Sequence, residues 1–135
     1  DGNWKNDKRD SQGTLIYSNG DKYVGEWKNN QKDGQGIDIT FFGDQYEGDY
    51  KNGKMEGKGI FISSIGDKYE GDWENDKMNG NGTLIYSDGN KYDGDFKDDY
   101  LHGNGTFQYA NGSLYDGAWK NNKQEGKGTV TYLNG

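Results

Sequence analysis

The sequence predicts an all-β protein: an elongated, single-layer antiparallel meander of stacked β-hairpins, twisted and curved into a trough. Three observations predict it. First, Tyr69-Glu70-Gly71-Asp72-Trp73 with Gly80-Asn81-Gly82 has close counterparts at Tyr46 and Tyr92, and Tyr23, Tyr46, Tyr69, Tyr92 and Tyr115 stand 23 residues apart. A fixed period in the twenties marks a stacked repeat architecture. Second, each unit carries a β-branched and aromatic run closed by a turn signal, as in Thr83-Leu84-Ile85-Tyr86 before Asp88-Gly89. Third, no stretch carries helical periodicity.

Each unit reads as strand, loop, strand, tight turn. Side chains alternate along a strand, so Tyr69, Gly71 and Trp73 share one face while Glu70 and Asp72 take the other. Two rings flanking a glycine leave a gap, which a ring from a neighbouring repeat or from the second strand would fill. The polar segment 74–79 and its counterparts 51–56 and 97–102 read as loops, with Gly80 permitting the return. The second strands are 14–17, 60–63, 83–86 and 106–109. Asn19-Gly20, Asp88-Gly89 and Asn111-Gly112 then mark tight turns.

The length of that turn decides which second-strand residues join the Tyr/Trp face. Two residues put Ile16, Ile62 and Ile85 there; one more puts Leu15, Phe61, Leu84 and Phe107 there. The second register is preferred because it gathers Tyr17, Tyr86 and Tyr109 with the other rings. Either way the opposite face keeps some apolar side chains.

The boundaries follow the frame: one array over 1–135, with a partial leading repeat at 1–22 and repeats at 23–45, 46–68, 69–91, 92–114 and 115–135. Gly2 and Trp4 already occupy the frame positions of Gly25 and Trp27. No capping repeat is recognisable at either end, so the sequence reads as a piece of a longer array. A lone hairpin is marginal in water, so each unit depends on its neighbours. At about 4.8 Å per strand, six repeats span roughly 55–60 Å.

Composition narrows the function classes. There are 24 Gly and no Pro; hydrophobics at 28% with charged residues at 29% would alone point to disorder. Aromatics reach 15% and are phased, which points to order. Without cysteine there is no disulfide or thiolate metal site. A net charge of −7 disfavours nucleic acid and, by the same sign, anionic membrane surfaces. No apolar run is long enough to span a membrane, and no signal-peptide pattern opens the chain.

Tyr-x-Gly-x-Trp, a short loop as at Gly53-Lys54 and His102-Gly103, then Gly-x-Gly, resembles the MORN (membrane occupation and recognition nexus) repeat. The resemblance covers essentially the whole chain. Asn30, Asp76, Asp99 and Asn122 stand where its loop glycine is usual. The resemblance implies a β-hairpin array acting as scaffold or adaptor, in cytoskeletal, ciliary or membrane-associated assemblies. It also implies that such an array can be the accessory region of an enzyme.

Several residue groups could pass for sites but also have a structural reading. Glu47/Asp49, Glu70/Asp72 and Asp93/Asp95 pair carboxylates that could collect a cation. They recur in nearly every repeat, with Lys51 and Lys97 nearby, which favours a solvated, lysine-compensated face. The Gly-x-Gly pairs enter strands rather than helices, unlike phosphate cradles. His102, the single histidine, reads as a structural loop residue. Ser11, Ser18, Ser63, Ser64, Ser87 and Ser113 have no base at a telling spacing. No catalytic residue, metal ligand or cofactor is expected, and the chain is not expected to be an enzyme.

The aromatic rows are the remaining site. Tyr23, Trp27, Tyr46, Tyr50, Tyr69, Trp73, Tyr92, Phe96, Tyr115 and Trp119 read as inter-repeat packing, as partner contacts, or as both. Asp38 departs from the Leu, Phe or Val at matching positions, and the expectation is a register irregularity that exposes Phe41 and Phe42 to a partner. The expected partner is a protein segment, strand or helix, lying in the trough in a cytoplasmic setting. Alternatives are phosphoinositide contact through Lys54, Lys77 and Lys123, and self-association through sheet ends or edges.

Overall fold

The computed structural model describes the backbone of residues 2–5 and 8–132 and the side chains of 11–132. The described strands are β1 (Gly2–Lys5), β2 (Lys8–Ile16), β3 (Lys22–Lys28), β4 (Gln31–Ile39), β5 (Gln45–Lys51) and β6 (Lys54–Ile62). They continue as β7 (Lys68–Glu74), β8 (Lys77–Ile85), β9 (Lys91–Lys97), β10 (Tyr100–Gln108), β11 (Leu114–Lys120) and β12 (Lys123–Thr131). They form one antiparallel sheet in strict chain order.

The two turns of each repeat follow from different chemistry. Between β7 and β8, Glu74 pairs with Lys77, so the connection is Asn75-Asp76 alone, both in the left-handed region at φ 50° and 68°. That is a type I′ hairpin turn, which suits the strand twist and which Asn and Asp tolerate. The expected six-residue loop is therefore corrected to two residues. Lys77, Met78 and Asn79 belong to β8, and His102 lies in β10 rather than in a loop. Gly80, at φ 101°, sits inside β8 in a bulge where Asn79, Gly80 and Asn81 oppose Asp72 alone.

The second turn is longer by one residue than an Asn-Gly I′ turn. The Tyr17 amide donates to the Asp21 carbonyl at 2.8 Å, and the Gly20 amide donates to the Tyr17 carbonyl at 3.0 Å. The loop is Ser18-Asn19-Gly20, with Gly20 at φ 98°. This length sets the preferred register: Leu15 lies opposite Tyr23, Phe61 opposite Tyr69, Leu84 opposite Tyr92 and Phe107 opposite Tyr115.

The same pairings align glycines into a row across the whole sheet, from Gly2 through Gly13, Gly25, Gly36, Gly48, Gly59, Gly71, Gly82, Gly94, Gly105 and Gly117 to Gly128. Each frame tyrosine lies in this furrow. A Cβ on Gly71 would come 2.7 Å from Tyr69 Oη, and one on Gly82 would overlap the Tyr69 ring. The gap beside the strand glycine is thus filled by the tyrosine of its own strand, not by a ring from elsewhere. Tyr69 Oη donates to the Asp72 carbonyl at 2.7 Å, which satisfies the one polar atom of the ring.

Candidate functional site

The ten frame aromatics form an unbroken ladder on one face. Its order is Trp27, Tyr23, Tyr50, Tyr46, Trp73, Tyr69, Phe96, Tyr92, Trp119, Tyr115, each ring edge-to-face with the next at 5.0–5.4 Å. Such pairs add about 0.5–1.5 kcal/mol each beyond area burial. The links alternate within and between repeats, so the ladder joins hairpin to hairpin. Trp73 Nε1 also reaches back to donate to the Gly59 carbonyl at 3.1 Å, and Trp119 Nε1 to Gly105 at 3.2 Å.

These rings are the core of the array: Tyr23 and Tyr92 are 0% exposed, and Trp73 is 7%. What remains open on the face is a strip packed against them, formed by Leu15, Met55, Phe61, Met78, Leu84 and Phe107, all half-buried. The two methionines and their counterpart Leu101 fall in segments 51–56, 74–79 and 97–102, which read as loops in the sequence, but all three lie in strands. Their position 23 residues apart was the available signal.

Burial raises the hydroxyl pKa of Tyr23, Tyr46, Tyr50, Tyr69 and Tyr92. For Tyr50 a hydrogen bond to Asp38 adds to the shift.

The carboxylates expected on a solvated face divide by position. Glu47, Glu70 and Asp93 are exposed. The inner members cap the bulge: Asp49 accepts the Lys58 amide at 3.2 Å, Asp72 that of Asn81 at 3.1 Å, and Asp95 that of Asn104 at 3.0 Å. Asp72 is also bonded to Lys58 Nζ, which lowers its pKa. Among the described residues no group of three or more His, Cys, Asp or Glu could hold a metal ion.

Asp38 does not produce a register irregularity. It pairs with Tyr23 as Phe61 pairs with Tyr46, and so projects onto the ring face. There it bonds Lys32, whose Nζ lies 2.9 Å from Oδ2 and 3.1 Å from Oδ1, and it accepts from the Tyr50 hydroxyl. Lys32 occupies the place of Met55, Met78 and Leu101, so an ion pair replaces the apolar pair of repeats 46–68, 69–91 and 92–114. Its ammonium lies 4.9 Å from the Tyr23 ring centroid and 5.5 Å from that of Tyr50, a cation–π arrangement.

Phe41 and Phe42 are 70% and 81% exposed, but because they sit in the three-residue turn after β4, not because the register slips. Their rings meet edge-to-face at 5.5 Å, and Phe41 leans over Gly20 of the preceding turn. Lys54, Lys77 and Lys123 are exposed at the starts of β6, β8 and β12, along the edge that carries the two-residue turns.

A sheet of consecutive hairpins whose rings and turns bond both within a repeat and to the next one defines a β-hairpin repeat array. A profile of the MORN repeat matches residues 1–22, 23–37, 46–68, 69–91, 92–114 and 115–135, and the chain belongs to the MORN repeat family. The unmatched stretch, 38–45, is the one that carries Asp38, Phe41 and Phe42. No curated protein matches the chain. Among solved structures it is similar to the TCP domain of SAS-4 (dCPAP) of Drosophila melanogaster, solved in complex with a proline-rich motif of Ana2 (dSTIL). The identity is 12% and the TM-score 0.52, over 91% of this chain and 73% of that one, a likeness of fold.

Proposed function

We propose that the array is a non-enzymatic scaffold that holds a protein segment along the open strip beside the aromatic ladder. The observation that carries this reading is that strip. Leu15, Met55, Phe61, Met78, Leu84 and Phe107 form an apolar row on a one-layer sheet, with no second layer over it among the described residues. Exposed apolar surface of this extent favours a partner, and an extended or helical segment fits a row rather than a pocket. Membership of the MORN repeat family supports a repeat interaction module. The similar TCP domain was solved with a proline-rich motif, which agrees with a peptide-like occupant. The reading places the protein in the cytoplasm, within a cytoskeletal, ciliary or membrane-associated assembly.

The test is retention of a partner from cell extract by the parent and by a Phe61→Ser/Leu84→Ser variant. These side chains are half-buried, so the variant keeps the ladder, and circular dichroism checks its fold. Loss of a partner by the folded variant supports the strip; equal retention refutes it. The exposed row of Lys54, Lys77 and Lys123 favours a second reading, contact with phosphoinositide headgroups. Flotation with phosphoinositide-containing liposomes, and its loss on replacing the three lysines, tests that reading.

A further inference from the structure

A trough built from one repeated unit has a registration problem. Repeats 46–68, 69–91 and 92–114 offer an apolar partner nearly the same rings at 23-residue steps, so sliding by a whole repeat changes little. Within repeats 23–45 to 92–114 one place on the face is different; the last repeat, with Gln124 and Val130, has a pocket of similar size, but no carboxylate lines it. Asp38 stands where Phe61, Leu84 and Phe107 stand, and Thr40 stands where Tyr17, Tyr86 and Tyr109 stand. Ser63 is small too, but its repeat keeps Phe61 and Met55. Two large side chains are therefore replaced by small polar ones in a single repeat, and the face opens into a notch of about 310 Å3.

The notch has a definite chemistry. Its walls include Tyr17, Tyr46, Met55 and Phe61, and its lining also includes the Lys32–Asp38 pair. Asp21 and Asp44 add two further carboxylates from the neighbouring turns. Both are fixed: Asp21 Oδ1 accepts the Phe41 amide at 2.8 Å, and Asp44 Oδ1 accepts the Ser64 amide at 2.7 Å. Lys32 is already committed to both oxygens of Asp38, so three carboxylates face one ammonium and the lining is net negative. Apolar and aromatic walls with an excess of carboxylate complement a long basic side chain, whose stem lies on the walls while its head meets carboxylate and ring faces.

From this we infer that the notch is the anchor for an arginine or lysine side chain of the bound protein segment, and that it fixes the register of that segment on the array. The inference rests on the strip reading given above. A single polar position that sets register within an otherwise apolar seam is a known physical device in paired helices.

The test uses labelled decapeptides of leucine and proline with one central arginine, glutamine or glutamate, titrated by fluorescence anisotropy. The two proteins are the parent and a filled-notch variant, Lys32→Met/Asp38→Phe/Thr40→Tyr, which installs residues used at the matching positions of other repeats. The parent is expected to bind the arginine peptide at least about tenfold more tightly than the other two. The filled variant, checked by circular dichroism, is expected to bind all three alike. Thr40→Tyr alone gives the same result at a half-buried position should the triple variant misfold. Backbone amide shifts on the parent should centre on residues 38–46. Equal binding of the three peptides by the parent leaves the strip reading standing and overturns the anchor, as does undiminished discrimination by the filled variant. Failure of every peptide to bind overturns both.

Discussion

Asp76 and Met55 hold each other across a repeat boundary: the Met55 amide donates to Asp76 Oδ1 at 2.8 Å, and the Asp76 amide donates to the Met55 carbonyl at 3.1 Å. Asp99 does the same to Met78, and Asn122 to Leu101. Gly53 holds the matching position in its own repeat. The acidic or amide side chain tolerates the left-handed backbone and adds an acceptor for the repeat before it. Asp76→Asn should be neutral. Asp76→Gly keeps the backbone and loses the acceptor, for about 1 kcal/mol. Asp76→Ala should lose more, because it adds strain at φ 68°. Urea denaturation of the three variants gives the order directly.

Filling the glycine furrow should be severe. Gly82→Ala drives a methyl into the Tyr69 ring, which is 1% exposed and has no room to retreat. The expected loss is about 1–3 kcal/mol or more. Gly53→Ala meets nothing within 4 Å, but it sits at φ 83°, so its loss should be backbone strain alone, on the order of 1 kcal/mol. Chemical denaturation of the pair separates crowding from conformation.

The Lys32–Asp38 pair invites a double-mutant cycle. Lys32→Met leaves Asp38 without its cation on a face where it is 26% exposed, and should cost about 1–3 kcal/mol. Lys32→Met/Asp38→Phe installs the apolar pair of repeats 46–68, 69–91 and 92–114, and should fall within about 1 kcal/mol of the parent or above it. A strongly additive pair of losses would contradict this.

Alkali should unfold the array. Burial raises the hydroxyl pKa of Tyr23, Tyr46, Tyr50, Tyr69 and Tyr92 above the unfolded value. A raised pKa means that the protonated form is favoured by folding. The stabilisation is complete below the unfolded tyrosine value, about 10, and is lost as pH climbs toward the folded one. Each such tyrosine removes up to about 1.4 kcal/mol per pH unit there. Phenolate absorbance of these residues should therefore appear together with loss of the sheet signal. Asp72 acts in the opposite sense: Lys58 lowers its pKa, so its contribution is present above the usual carboxylate range and is lost as acid protonates it. Lys58→Met should move the acid transition to higher pH.

The turn phenylalanines should be thermodynamically quiet. Phe41→Ser/Phe42→Ser removes rings that are 70% and 81% exposed, and Tm should shift little, by about 0.5 kcal/mol or less in stability for each. A large loss would mean that the lean of Phe41 on Gly20 is structural.

The frame was legible in the sequence because it repeats: period, face and aromatic rows all follow from residues 23 apart. So did the preferred register, on the argument that it gathers Tyr17, Tyr86 and Tyr109 with the rings. The turns were harder. Asn75-Asp76 contains no glycine, and Lys77-Met78-Asn79 is polar enough to read as loop, although a type I′ turn makes it strand. That tyrosine covers its own glycine needed three dimensions, since a ring reaching two residues along its strand leaves no trace in spacing. Lys32 was different, for its column of Met55, Met78 and Leu101 was in plain view. Asp38 stands out in the sequence as a break in its column, but nothing in the spacing ties it to Lys32.

The strict chain order of the strands has a mechanical consequence. A pull on the two ends of the array runs along the direction of the interstrand hydrogen bonds, so a strand pair gives way bond by bond and does not have to shear all its bonds at once. The sheet opens like a zipper, hairpin by hairpin, in steps of one repeat. The ring ladder resists at every step, because each hairpin that peels away must drag its ring off the ring of its neighbour. Such an array should yield at low force in increments of one repeat and re-form from whatever hairpins remain.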